Sequence, residues 1–199
     1  MGRTVTRELI LEAARRALAR FGPQKASLGD IARPLGVTKA ALYHHFPGGK
    51  QEILEAVLQA EEEAILQAMR RAVAGESDPG RRLRRAVLAK LERLRWLKEV
   101  LEVRRDVSRE FRALCEREER RFMELERELF EEILHDGQQR GIFRPTPRER
   151  LARGIQSALR DLESTLVFSD HEEEMEAVVD EMLDVLFYGI LARPQRGEV

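Results

Sequence analysis

Between Ser27 and Lys50 the chain reads SLGDIARPLGVTKAALYHHFPGGK, and few local structures accommodate that order of residues. Ser27 and Asp30, three positions apart, form a capping-box-like pair whose side chains satisfy backbone donors left unpaired at a helix start. Ile31 and Leu35 give that helix one apolar stripe. Gly36 supplies the unusual backbone geometry of a tight inter-helix turn, Val37 fills the angle, and Thr38 is a natural N-cap for a second helix. The product is two short helices around a glycine turn, closing on a basic residue, which is the shape of a DNA-reading helix-turn-helix. Pro34 stands against the pattern. It lacks a backbone donor and costs about 3 kcal/mol in a regular helix interior, so the first helix is expected to bend or end early.

Charge is distributed to match. The whole chain has a formal charge of −1 over 199 residues. Its first fifty residues, however, carry Arg3, Arg7, Arg15, Arg16, Arg20, Lys25, Arg33, Lys39 and Lys50 against only Glu8, Glu12 and Asp30. That is a net +6, which leaves −7 on the remainder. A basic N-terminal part suits phosphate contact, whereas an acidic remainder is repelled by a duplex and is expected to point away from it.

With 43% hydrophobic residues the chain has the material for a conventional core. No apolar run of about 18 residues is present to span a bilayer, and MGRTVTREL lacks the apolar stretch of a secretory signal. A soluble protein in the cytoplasm, with no membrane partner, is therefore expected. Cys115 is the single cysteine, so an internal disulfide is impossible and an inert thiol is the favoured reading.

Helical periodicity runs almost from end to end, so the expected fold class is all-α. A first helix covers about residues 7–20, with Leu9, Ile10, Ala13, Ala14, Ala17, Leu18 and Phe21 on one face and Gly22-Pro23 as its stop. The helix-turn-helix follows, and a fourth helix runs from about Lys50 to Val73 before the break at Gly75 to Gly80. Two helices are then expected, residues 81–99 and 101–107, followed by a long one over 109–140. In that long helix Glu118 falls on the apolar stripe and reads as a rim carboxylate, or, inside a cavity, as a group orienting a polar ligand atom. The last two helices cover 148–168 and 172–192. The domains expected are a DNA-binding unit, residues 1–50, and a larger helical unit, residues 51–199. The final helix is apolar on more than one side, which suggests a partner subunit.

The segment FGPQKASLGDIARPLGVTKAALYHHFPGGK, with the helix before it and the start of the helix after it, closely resembles the DNA-binding domain of the tetracycline-repressor (TetR) family. The resemblance covers about Arg7 to Leu54. Its specific elements are Phe21-Gly22, the Ser27 cap, Asp30-Ile31-Ala32, Gly36-Val37-Thr38, and Leu42-Tyr43 followed by His45-Phe46 and a lysine. A weaker likeness, Asp136-Gly137 to Arg144 with its Gly-Ile-Phe-Arg ending, fits the family's variable ligand domain. Pro34 and the link Pro47-Gly48-Gly49, one residue longer than the commoner spacing, are departures. The resemblance implies a homodimer whose recognition helices enter successive major grooves of a pseudo-palindromic operator, and a small-molecule effector held by the larger domain.

On that basis Thr38, Lys39, Ala40 and Ala41 are expected at base edges, with Lys39 able to donate to guanine and the alanines limited to apolar contact. Ser27, Tyr43, His44 and Lys50 are assigned to phosphate, as Thr38 is in part, while His45 and Phe46 pack. Arg3 is a candidate groove-reaching arm. The expected effector pocket, taken from the place of the family's cavity, is lined by Trp96, Leu101, Phe111, Leu114, Cys115, Phe122, Leu159, Leu162 and Leu166. The expected dimer face comprises Leu159, Met175, Val179, Met182, Leu183, Leu186 and Ile190. Arg85, Arg93, Arg104 and Arg105 leave room for an anionic effector such as a fatty acyl-CoA.

An enzyme finds little support in the sequence. His135-Asp136 and His171-Glu172 lack a further ligand at helical spacing and read as helix termini, and no phosphate loop or nucleophile motif stands in its required setting. No metal or cofactor is expected. An effector-independent architectural DNA binder is the rival reading, but about 120 residues of apolar-rich C-terminal chain exceed what dimerisation alone requires.

Overall fold

The computed structural model describes residues 5–102, 109–168 and 175–190, with side chains described for 5–94, 116–160 and 177–186. Among these residues the regular elements are all helices: α1 (Arg7–Lys25), α2 (Leu28–Leu35), α3 (Lys39–His45), α4 (Gly49–Val73), α5 (Pro79–Glu102), α6 (Arg109–Gln139), α7 (Arg148–Phe168) and α8 (Met175–Ile190). None of them is long and apolar enough to cross a membrane.

Local chemistry sets most of the boundaries. Thr6 caps α1, its hydroxyl accepting from the Leu9 N–H at 3.4 Å. The regular part of α1 ends where the sequence signals a stop: Gly22 adopts φ 73° and ψ 165°, and only a short turn through Pro23 continues to Lys25. One expected division disappears. Residues up to Glu102 form a single helix α5 rather than two helices meeting near position 100, because nothing between Trp96 and Glu102 is a glycine, proline or cap residue that would end a helix. The second of the expected pair, over 101–107, lies largely outside the described residues.

The fold divides into two compact units. One comprises Met1–Ala64 and Trp96–Arg121. Its core brings Ile10, Ala14 and Leu18 of α1 against Ile31 of α2, Leu42 of α3, Phe46, and Ile53, Leu54, Ala56 and Val57 of α4. Phe46, Ile10 and Ile53 are wholly buried, each side chain contributing about 1.5–3 kcal/mol. The first turns of α4 thus complete the small domain, and the boundary expected after residue 50 falls within the helix that closes it. Polar contacts hold α4 on two sides. Arg15 of α1 pairs with the buried Glu61, and Arg117 of α6 pairs with Glu55. Glu118 is not a rim carboxylate: it is 4% exposed, with Oε1 accepting from Arg117 at 3.2 Å and Oε2 4.0 Å from the Arg121 guanidinium. Burial, then repulsion from Glu118, pushes the Glu62 carboxyl up to about 7.

The second unit comprises Ile65–Arg95 and Phe122–Val199. Phe130, Phe143, Ile133, Leu134, Leu83 and Met69 are among its fully buried side chains. A charged pair sits inside it. Lys90 Nζ lies 2.6 Å from Glu126 Oε1 and 5.3 Å from the centre of the Phe122 ring. Gln156 Nε2 donates to Glu126 Oε2 at 2.9 Å and to the Met123 carbonyl at 2.8 Å. All three polar residues are at most 4% exposed. Arg84 of α5 forks onto Asp180 of α8 at 2.5 and 2.8 Å.

Candidate nucleic-acid interface

The helix-turn-helix is built by three local devices. At the start of α2 the Ser27 hydroxyl accepts from the Asp30 N–H at 3.3 Å, and the Asp30 carboxylate accepts from the Ser27 N–H at 3.0 Å. The pair is a complete capping box, and its hydrogen bonds hold the Asp30 carboxyl below the usual carboxylate range. At the end of α2, Gly36 is left-handed, with φ 68° and ψ 27°. Its N–H donates to the Arg33 carbonyl at 3.1 Å, and the Val37 N–H donates to the Ala32 carbonyl at 3.2 Å, which is a Schellman closure. Thr38 then caps α3, its hydroxyl accepting from the Ala41 N–H at 3.3 Å.

Pro34 neither bends α2 out of register nor ends it early. It occupies the last turn of a helix that continues to Leu35, where the Schellman bonds, not the lost proline donor, satisfy the terminal carbonyls. The long Pro47-Gly48-Gly49 link is likewise accommodated. The Gly48 N–H donates to Glu52 Oε2 at 2.8 Å at the start of α4, and Gly49, at φ 66°, lies under Tyr43. A β-carbon at position 49 would stand 3.0 Å from Tyr43 Cε1, so the glycine makes room for that ring.

These devices aim α3. Leu42 and Phe46 point inward and are 1% and 0% exposed. Thr38, Lys39, Ala40, Tyr43 and His44 face outward, Tyr43 being 49% exposed, and Ala41 and His45 are half-buried. Three of the four residues expected at base edges, Thr38, Lys39 and Ala40, therefore share the outer face of α3 and its cap with Tyr43 and His44, assigned to phosphate. Lys39 does not extend freely from it: its Cε lies 3.4 Å from where a β-carbon on Gly29 would stand, and its charge reinforces the low pKa of Asp30.

Ser27 and Lys50, assigned to phosphate, also carry structural hydrogen bonds. The single hydroxyl hydrogen of Ser27 is directed at Asp30 Oδ2, 2.6 Å away. Lys50 Nζ donates to the Gln24 carbonyl at 2.8 Å, tying the end of α1 to the start of α4, and burial draws its pKa down. Arg7 was not singled out from the sequence, yet it organises the far end of α3. Its guanidinium lies 4.2 Å from the centre of the Phe46 ring, and Nη1 donates to the His45 carbonyl at 3.2 Å. Only its place among the N-terminal basic residues hinted at a role. Arg3 lies outside the described residues.

Residues 10–57 match the family model of bacterial regulatory proteins, tetR family. SrpR, a helix-turn-helix transcriptional regulator of Pseudomonas putida, is 42% identical over 60 residues, 30% of this chain and 28% of its own length.

Its N-terminal domain is therefore of the tetR family.

That is a family of regulatory proteins, not of enzymes. The chain spans less than half the length of the curated relatives it matches. Among solved structures, the TetR-family regulator PfmR of Thermus thermophilus is 27% identical, with a TM-score of 0.60 over 90% of this chain and 97% of that one. FadR of Bacillus subtilis, solved in complex with stearoyl-CoA, shares the fold at 19% identity, with a TM-score of 0.72 over 93% of this chain and all of that one.

Of the expected effector-pocket residues, the side chains of Trp96, Leu101, Phe111, Leu114, Cys115, Leu162 and Leu166 lie outside the described residues. Phe122 and Leu159 are described and are packed in the second unit, 7% and 0% exposed. On the expected dimer face, Leu159, Val179 and Leu183 are buried within the chain itself, and Met182 and Leu186 are half-buried. The side chains of Met175 and Ile190 lie outside the described residues. Val185, part of the extra apolar surface that the sequence reading took to suggest a partner subunit, is 74% exposed.

Proposed function

We propose that the chain is a ligand-responsive transcriptional repressor, binding a pseudo-palindromic operator as a homodimer and released by a small amphipathic effector of the acyl-CoA class. The observation that carries the reading is the outward face of α3. Thr38, Lys39, Ala40, Tyr43 and His44 stand exposed on a capped helix backed by Leu42 and Phe46, within an N-terminal segment of net charge +6. In the proposed complex Lys39 donates to a base edge, Ala40 and Ala41 pack on thymine methyl groups, and Tyr43, His44 and the N-terminal N–H groups of α2 hold phosphates. Two such helices in a dimer address half-sites about 34–36 Å apart. The DNA-binding part comprises residues 1–50 completed by the first turns of α4, and the remainder holds the effector and the dimer contact.

The effector class is supported by the FadR likeness and by the arginines of α5, which suit a phosphate or carboxylate. The effector is proposed to bind the state that fits the operator less well, so that its differential affinity shifts the equilibrium. The test is titration of the purified protein with duplex from immediately upstream of its own coding region, against unrelated competitor at near-physiological salt. Specific binding lost on Lys39→Ala or Tyr43→Ala, and reversed by a long-chain acyl-CoA, is the expected result. Binding that no acyl-CoA reverses would favour the architectural reading. Failure with a randomised duplex library would remove the DNA-binding assignment itself.

A further inference from the structure

A groove of about 410 Å³ opens between α1 and α2. Ala13 and Ala17, both buried, form its floor, and Leu9, Phe21, Pro34 and Leu35 form its walls. Leu9 and Phe21 are 42% and 37% exposed. A single exposed apolar side chain is ordinary, but two bounding the same concave surface mark a place where something else packs. Pro34 belongs to the same surface. The residue that looked anomalous within α2 is exposed there and presents an apolar ring along the wall of the groove.

Charge decides the kind of occupant. Arg16, Arg20 and Arg33 edge the groove together with Glu12 and Asp30. Glu12 accepts from Arg15 at 2.6 Å and from Arg16 at 3.1 Å, and Asp30, which accepts from the Ser27 N–H and hydroxyl, is also offset by the charges of Arg33 and Lys39, so the carboxylates are outnumbered. Arg20 lies 5.1 Å from the centre of the Phe21 ring, at the apolar wall, and Arg33 is exposed on the last turn of α2. A visitor therefore meets an apolar cleft edged by guanidinium groups. A nucleic-acid backbone would answer the arginines and leave the cleft wet. No residue of α3 lines the groove, so it is a different surface from the outer face of the recognition helix.

The geometry points to a docking site for a short helical segment of another protein, which sets bulky apolar side chains into the α1–α2 groove and carboxylates against Arg20 and Arg33. This goes beyond the operator and effector binding proposed above, which were assigned to the outer face of α3, the N-terminus of α2 and the larger part of the chain. It gives the DNA-binding domain a second contact, with a protein partner.

The test uses the full-length chain and fluorescein-labelled synthetic helical peptides. One carries Leu and Phe at i, i+3 and i+4 among glutamates, a second has those apolar residues replaced by serine, and a third has the glutamates replaced by lysine. The first is expected to bind saturably at near-physiological salt, with the other two weaker by about tenfold or more. Arg33→Glu and Leu9→Ser are each expected to weaken the first peptide by about tenfold while the thermal midpoint holds. Equal binding of the serine peptide, or binding unchanged in both variants, would assign the effect to general basic charge and overturn the proposal. So would absence of saturable binding by the first peptide. Sedimentation in which both variants dissolve an oligomer would give the groove to a second copy of the chain, and would overturn it as well.

Discussion

Gly137 shows how little room a single position can have. A β-carbon there would overlap Phe143 Cδ2 and stand 2.5 Å from Cε2, and Phe143 is 1% exposed, so the ring has nowhere to go. Gly137→Ala is therefore expected to destabilise the second unit by about 2 kcal/mol or more, lowering its thermal midpoint by roughly 4–8 °C. Gly141→Ala, where only the left-handed φ of 68° is at stake, should cost less, about 1 kcal/mol. Glu62 carries a different kind of constraint. Its carboxyl titrates near 7 in the folded chain against an ordinary 4.5, so the folded state holds the proton more tightly than the unfolded one. The resulting stabilisation is fully present below about pH 4.5 and is lost as pH rises to about 7, beyond which nothing further changes. Arg121 opposes the shift, and Glu119 adds to the repulsion that Glu118 exerts. Urea midpoints measured from pH 4.5 to 8 should fall in the native protein and fall less in Glu62→Gln; parallel curves would show that Glu62 is not the group responsible.

At the scale of elements, the legible parts are those whose chemistry is local. Ser27 with Asp30, Gly36 with Val37, and Thr38 each act within four residues, so the caps of α2 and α3 could be read directly from residue order. Ser27→Ala removes one hydroxyl that serves the N-terminus of α2, and the expected cost is about 1 kcal/mol in a melt without DNA. No loss of stability there would mean that the capping box is redundant with packing. Pro34 misled for a related reason. Its cost was estimated for a helix interior, but which turn it occupies depends on where the Schellman closure at Gly36 ends the helix. What could not be read is non-local. The Lys90–Glu126–Gln156 cluster joins residues 30 or more positions apart, and each looks like an ordinary surface residue in its own helix. Lys50 donating to Gln24, and Arg7 reaching the end of α3, depend in the same way on how α1 packs against the helices that follow. Within the candidate interface, the base-edge and phosphate residues of α3 were named through the family resemblance. The structural hydrogen bonds of Ser27 and Lys50 were not legible there.

For the whole molecule, the unequal division of charge and apolar surface makes the proposed assembly testable. The sequence marked α8 as too apolar for one neighbour, and the structure separates its two sides. Val179 and Leu183 are consumed by the chain's own core at 0% and 1% exposure, while Val185 is left 74% exposed beside half-buried Met182 and Leu186. An operator-binding dimer needs a face that a single chain does not itself use, and this outer side of α8 has that property. A charge placed at Val185 should therefore leave the single-chain fold within about 0.5 kcal/mol of native, because the site is exposed in the isolated chain. The same charge buried at a two-fold interface would face its symmetry mate and be strongly unfavourable. Val185→Glu is thus expected to convert a sedimenting dimer to monomer at unchanged far-UV signal, and to weaken operator binding because two linked recognition helices become one. A variant that still sediments as a dimer would move the interface off this side of α8. One that turns monomeric yet binds operator duplex as tightly as native would detach DNA reading from dimerisation, and with it the expectation of a pseudo-palindromic site.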